Sequence, residues 1–399
     1  MAKLKSVLVV VLVMVLTLAW IPVSESLKKP VALARKEDQN RSVGEPETRC
    51  IEPERQALLK FKQHLHQIKV GFLSSWENEN TDCCDWYGVQ CSNESGHVTV
   101  LDLSPSTNSF LPGTCYNKGD DRFLRGNITS WLLELKFLTY LDLSIVDFTG
   151  NQLPSFIGAL TQLRYLNLSY TEMSGEIPPQ FANLSSLQVL DLGYNYGLTM
   201  TNMEWVSHLS SLTILDLTRT NMSKATDWVQ TVTKLPYLTN LVLSMCELPN
   251  ITIPSSISLV NTSKSLAILD LSHNELTNSV YQLIFKFSRS LVHLNLWDNQ
   301  VTGSIPEAFL NTSAIEYLEL GVNELEGFIP EALGNMSTLT YLGLSLNKFS
   351  GSIPEALGNL TNLTYIDIGS NNLEGEFPKS LWNLCKLRTS SARKTIFVE

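Results

Sequence analysis

Leucines and polar residues alternate along this chain in a pattern with a long period. Eleven near-copies of the order L-x-x-L-x-L-x-x-N begin at Val98, Leu138, Leu163, Leu187, Leu212, Leu238, Leu266, Leu291, Ile315, Leu339 and Leu363, most of them 24 to 26 residues apart. In Leu339-Thr340-Tyr341-Leu342-Gly343-Leu344, the second and third leucines alternate with residues free to face solvent, which predicts a half-buried strand. Asn347 follows, and Asn195, Asn274, Asn299, Asn323 and Asn371 take the same place. An amide there can satisfy the backbone of the turn that leaves each strand. Next come Gly351, Ile353 and Pro354, matched by Gly303, Ile305 and Pro306, by Gly327, Ile329 and Pro330, and by Gly375, Phe377 and Pro378. Glycine permits backbone shapes that a Cβ resists, and proline restricts the return path. One unit cannot bury its own leucines. Stacked units share a core, each buried leucine contributing about 1.5–3 kcal/mol.

This motif at this period is a leucine-rich repeat, so the expected fold is an α/β solenoid with a parallel sheet on its concave face. Such a surface holds other molecules and seldom carries chemistry. Its inner columns are readable from register. The third place of each repeat holds Tyr140, Tyr165, His293, Tyr317, Tyr341 and Tyr365, and the fifth holds Asp142, Asp191, Asp216, Asp270, Glu319 and Asp367. The pattern suits a protein or peptide with basic groups, and it suits ordinary repeat filler as well. Tyr170, Tyr194, Arg219, His273, Trp297 and Asp298 break the usual serine–asparagine pattern. Trp297, large and exposed by register, is the leading contact candidate. From Leu212 to Asn278 the spacing stretches and the Gly-x-Ile-Pro signal is lost, which marks either a binding specialisation or a change of curvature.

Lys3 and Lys5 precede an apolar run from Val7 to Ile21, then Pro22, Ser24 and Ser26. Residues 1–26 are expected to be a cleaved signal peptide and 27–49 a linker; the run is short for an uncleaved bilayer anchor, and no later apolar stretch spans a membrane. Twelve N-x-S/T sequons agree with secretion, at Asn40, Asn93, Asn127, Asn167, Asn183, Asn221, Asn250, Asn261, Asn311, Asn335, Asn359 and Asn362. Asn311, Asn335 and Asn359 stand 24 apart, which places them alike on successive coils and also makes them repeat consensus. Asn167 falls on the inner face, where a glycan would cover part of the binding surface. A net charge of −10 argues against nucleic acid or an acidic membrane as partner.

Four of the seven cysteines lie between Cys50 and Cys91, with Cys83 and Cys84 adjacent. In an oxidising compartment they read as staples of an N-terminal cap over residues 50–97. A four-cysteine metal site is the alternative, disfavoured by the absence of paired C-x-x-C spacing. Leu58, Phe61, Leu65 and Ile68 follow helical spacing, with Pro53 near the start. Cys246 takes the asparagine place of its repeat and is expected to be buried. Cys115 and Cys385 have no evident partner.

The run from Cys50 through Pro53, Glu54, Arg55, Leu58, Leu59 and Phe61, then Leu73-Ser74-Ser75-Trp76, Asp82-Cys83-Cys84-Asp85-Trp86, Gly88-Val89 and Gly96-His97-Val98, resembles the start of plant leucine-rich-repeat receptor-like proteins. It is similar to the class typified by receptors for fungal ethylene-inducing xylanase, over about residues 1 to 386. The resemblance implies a right-handed superhelix, bridges Cys50–Cys83 and Cys84–Cys91, and recognition of an extracellular protein, peptide or glycan. It also implies defence signalling through a partner receptor kinase at the plasma membrane. Members of that family continue through more repeats, a cap and a membrane span. Here the repeats run over 98–386, and residues 387–399, with Ser390 where a strand leucine should stand, fit no repeat. The chain therefore reads as a shortened or alternatively spliced receptor-like protein, or a misread gene.

Two other functions compete. A soluble inhibitor of microbial cell-wall enzymes, resembling polygalacturonase-inhibiting proteins, shares the cap and repeat number but closes with a cysteine-bearing cap. An enzyme has no support: no nucleophile–base constellation or phosphate-cradling glycine loop stands out, and no cofactor or metal is expected.

Overall fold

A computed structural model of the chain describes residues 49–66, 71–77, 82–105, 124–251, 265–287, 290–310 and 314–391. The expected signal peptide, the linker up to residue 48, Ile68, Cys115 and the sequons at Asn40, Asn261 and Asn311 lie outside them. None of the described helices is long and apolar enough to cross a membrane.

The leucine periodicity becomes a thirteen-stranded sheet. Its first strand, Val89–Cys91, is antiparallel to Val98–Asp102, and every later neighbour pairs in parallel, from Tyr140–Asp142 to Thr389–Ser391. The repeats share a single register: Tyr140 opposes Tyr165, Leu141 opposes Leu166, Tyr317 opposes Tyr341 and Leu318 opposes Leu342. Leucines of successive copies thus stack in one continuous buried core. This is the right-handed solenoid expected, with the parallel sheet on the concave face. Opposite the sheet run short 3-10 turns such as Pro179–Asn183, Glu331–Asn335 and Glu355–Asn359.

Between sheet and turns, short outer strands pair along the array: Ser174–Glu176 with Gly197–Thr199, and then Thr302–Gly303, Glu324–Phe328, Lys348–Gly351 and Asn372–Leu373 in order. Gly303, Gly327, Gly351 and Gly375 all take φ between 74° and 85°, which explains why the sequence repeats glycine there. Among the described residues the outer pairing lapses between Thr199 and Thr302, apart from one bridge from Thr199 to Asn221. That gap coincides with the irregular repeats, where the helix Trp228–Val232 replaces the 3-10 turn.

The asparagines act as the sequence predicts. Asn347 Nδ2 donates to the carbonyls of Leu320 and Leu344, and its Oδ1 accepts from the Leu325 amide at 2.9 Å. Asn274, Asn299, Asn323 and Asn371 repeat this bridge between coils. Cys246, fully buried, substitutes only in part, its thiol donating to the Leu217 carbonyl at 3.1 Å.

The cap is bridged Cys50–Cys83 and Cys84–Cys91. Its helix, Glu52–Lys62, buries Leu58 and Phe61 and carries Glu54 to the sheet edge. There the buried Glu54 carboxylate accepts from the Val98 amide at 2.7 Å and contacts His97 Nδ1 at 2.9 Å. The helical pattern through Leu65 is corrected: the helix ends at Lys62, and Leu65 is buried instead in a two-residue strand against Arg125–Gly126. The pairing to Gly126 takes the chain where another helical turn would have gone. At the other end, Thr389–Ser391 pairs with Tyr365–Asp367, although Ser390 stands opposite Ile366. Parallel backbone bonding does not require the leucine, so the sheet runs one strand beyond the leucine pattern.

Candidate ligand-binding face

Two tracks of side chains run along the inner face. The first begins each strand. Tyr140 stacks on Tyr165 with ring centroids 4.1 Å apart, and His293, Tyr317, Tyr341 and Tyr365 form a second stack at 4.0, 4.2 and 4.4 Å. Parallel pairing forces this spacing, because same-place residues on adjacent strands must lie side by side. The rings cover one another's faces and turn their edges outward. Burial pushes the hydroxyls of Tyr165, Tyr317 and Tyr341 up, and Tyr365 to about 12, so all remain neutral donors at physiological pH. Burial also lowers the His293 pKa, with Asp270 pulling the other way, and its Nε2 is buried without a hydrogen-bond partner.

The second track follows each strand. Ile145, Tyr170, Tyr194, Arg219, Met245, His273, Asp298, Val322, Leu346 and Ser370 all have φ between 52° and 69°. Side chains with a Cβ enter this left-handed region at a cost of about 1 kcal/mol or more. The compensation is visible in the backbone: the amides of Tyr170, Tyr194 and Arg219 donate to the carbonyls of Gly193, Thr218 and Ser244 one coil onward. The ladder fixes these side chains in line. Tyr170 and Tyr194 stack at 4.2 Å, the Arg219 guanidinium lies 4.6 Å from the Tyr196 ring centroid, and His273 Nδ1 meets Asp298 Oδ2 at 2.8 Å.

The acidic column is not the exposed surface that its register suggests. Asp142, Asp191, Asp216, Asp270 and Glu319 are buried, and each accepts from the amide two residues on, as Asp216 does from Thr218 at 2.9 Å. These carboxylates close the strand exit. Burial raises Asp216 to about 6 and Glu319 to about 7, and Asp191 rises for the same reason. Glu319 is further tied to the Tyr341 hydroxyl at 2.8 Å.

Trp297 departs from expectation too. It is half-buried, its indole folded over Gly321 of the next coil, so it is a wall of the face and not a free probe. Tyr196 and Gly321 were not legible as site residues. Tyr196 follows the ladder asparagine, where register gives no direction, and Gly321 signals only by lacking a side chain opposite a tryptophan. Asn167 also belongs to this face, half-buried in the carboxylate column, its Oδ1 accepting from the Ser169 amide at 2.9 Å. Asn93, Asn127, Asn183, Asn250, Asn335 and Asn359 are exposed, while Asn221 and Asn362 are half-buried.

The chain matches three family descriptions: leucine rich repeat N-terminal domain over residues 51–92, leucine-rich repeat region over 126–348, and leucine rich repeat over 338–360 and 362–384. It is 39% identical to the receptor-like protein EIX1 of Solanum lycopersicum over 69% of its own length, and 40% identical to EIX2 of the same plant over 68%. The chain spans 26% of the length of each of those relatives. Among solved structures it is similar to PEPR1–AtPEP1, with TM-score 0.61 and 25% identity over 87% of this chain and 49% of that one. A TDR receptor matches with TM-score 0.56 and 26% identity, over 67% of this chain and 46% of that one.

Proposed function

The chain belongs to the leucine-rich repeat family, and on that premise we propose that it is an extracellular recognition protein of plant defence or cell-surface signalling. Its concave face binds a protein, peptide or glycan elicitor. The reading gives it no kinase activity of its own and makes a partner receptor kinase the signalling component. It is delivered through the secretory pathway to the apoplast or the outer face of the plasma membrane, with glycans on the exposed sequons.

The observation that carries this is the pair of pre-stacked tracks on the inner face. Rings already held at 4.0–4.4 Å by the sheet lose little freedom when a ligand arrives, so contact energy is not offset by ordering. The receptor-like relatives point the same way. Random peptide-display libraries and purified fungal xylanase, presented to the secreted chain and to its Tyr170→Ala/Tyr341→Ala variant, test the reading. Binders lost on the variant support the concave face; binders that all survive move the ligand surface elsewhere.

A further inference from the structure

Among the described residues, the charge of Arg219 is met only by aromatic rings. Its guanidinium sits 4.6 Å from the Tyr196 centroid and 5.6 Å from that of Tyr194, and its Nε is buried with no hydrogen-bond partner. Among the described residues it forms no salt bridge. Several other cations do pair: Arg55 with Glu52, Arg125 with Asp147, Lys234 with Glu204, and Lys348 with Glu324. A guanidinium lodged beside rings keeps its forked donors, the geometry that takes a carboxylate in two parallel bonds. The position is built by the backbone. Tyr170, Tyr194 and Arg219 follow one another in the left-handed track, with φ of 56°, 60° and 69° and each amide bound to the next coil.

From this we infer that Arg219 receives a carboxylate of a protein or peptide ligand, whose flanking residues lie against the exposed Tyr170 ring. The inference rests on the concave face being the ligand surface. Charge decides the class of ligand. The cation stands alone on its track, with the buried carboxylates Asp191 and Asp216 on the adjoining column. A polyanionic glycan would bring several charges to a track that offers one guanidinium, whereas a single carboxylate on an otherwise uncharged segment matches it.

The test is differential selection of random linear peptides on the folded secreted chain and on its Arg219→Gln and Arg219→Lys variants. Thermal unfolding confirms that each variant is folded. Peptides specific to the unmodified chain should carry Asp, Glu or a required free C-terminus, and should lose affinity about tenfold or more on Arg219→Gln, the scale of a lost charge-assisted hydrogen bond. Arg219→Lys should recover part of that loss. Replacing Asp or Glu by its amide, or amidating the C-terminus, identifies which carboxylate is read. Binders lost on Tyr170→Ala/Tyr341→Ala yet indifferent to Arg219→Gln overturn the carboxylate site and leave the concave face standing. Binders indifferent to both overturn the two readings together. Oligogalacturonide binding that disappears with Arg219→Gln overturns the peptide class in favour of an acidic glycan.

Discussion

Trp297 lies across Gly321 of the following coil: a Cβ placed on that glycine would stand 2.5 Å from Cζ3 of the indole. The two residues form one unit, a large ring admitted by a missing side chain. Gly321→Ala should therefore destabilise the chain by about 1–3 kcal/mol, as overpacking does. Most of that loss should disappear in a Trp297→Ala background, measured as a double-mutant cycle in urea. Additive effects of the two substitutions would refute the pairing.

Asn347 answers four backbone groups, the carbonyls of Leu320, Leu344 and Ser345 and the Leu325 amide. Asn347→Ala removes these partners inside the core, at a loss of about 2–4 kcal/mol. Hydrogen exchange at the Leu325 amide is the direct readout. Unchanged protection there would show that the ladder is not what holds the coils together.

Glu319 predicts a pH dependence with a definite sign. Burial lifts its folded pKa from the ordinary 4.5 to about 7, so between those values the folded chain keeps a proton that the unfolded chain has released. The stability this contributes is full below the unfolded value and is lost as pH rises through 7. Glu319→Gln should flatten the slope of stability across that window and leave the variant more stable above it, by up to roughly 3 kcal/mol. Unfolding midpoints across the pH range decide it; parallel curves for the two proteins would sink the assignment.

The sequon at Asn167 should stay bare in the folded, secreted protein. Its Oδ1 holds the Ser169 amide and hydroxyl, and its Nδ2 donates to the Tyr165 hydroxyl at 3.3 Å. A glycan on that nitrogen would push Tyr165 off Tyr140. Mass spectrometry should find sugar at Asn93, Asn183, Asn335 and Asn359 and none at Asn167. Full occupancy of Asn167 in a well-folded fraction would contradict the geometry.

What was readable in the amino acids was whatever recurs. Strand leucines, ladder asparagines, turn glycines and the stacked inner tyrosines each repeat with the coil, so register alone locates them. Tyr170, Tyr194, Arg219, His273 and Asp298 stand out in the sequence, but their left-handed backbone does not: Tyr170, Arg219, Met245 and Leu346 are not residues that announce a positive φ, and only the amide-to-carbonyl ladder makes the conformation affordable. The acidic column misled for a different reason. Register gives the direction of Asp216 correctly but says nothing of the Thr218 amide that turns it inward. Leu65 kept helical spacing in sequence while the chain had already left the helix.

One place along the array differs from the rest. Residues other than asparagine hold the ladder place at Val146, Thr171, Thr220 and Cys246, but only beside the last two has the outer strand pairing also lapsed among the described residues, and there the Thr220 hydroxyl is buried without a partner. A row of identical modules coupled only to their neighbours comes apart at its weakest joint. This chain should accordingly melt as two blocks, one anchored on the cap and one on the five successive asparagines from Asn274 to Asn371. Arg219 sits over the joint, so whatever grips that residue would also clasp the two blocks into a single cooperative body.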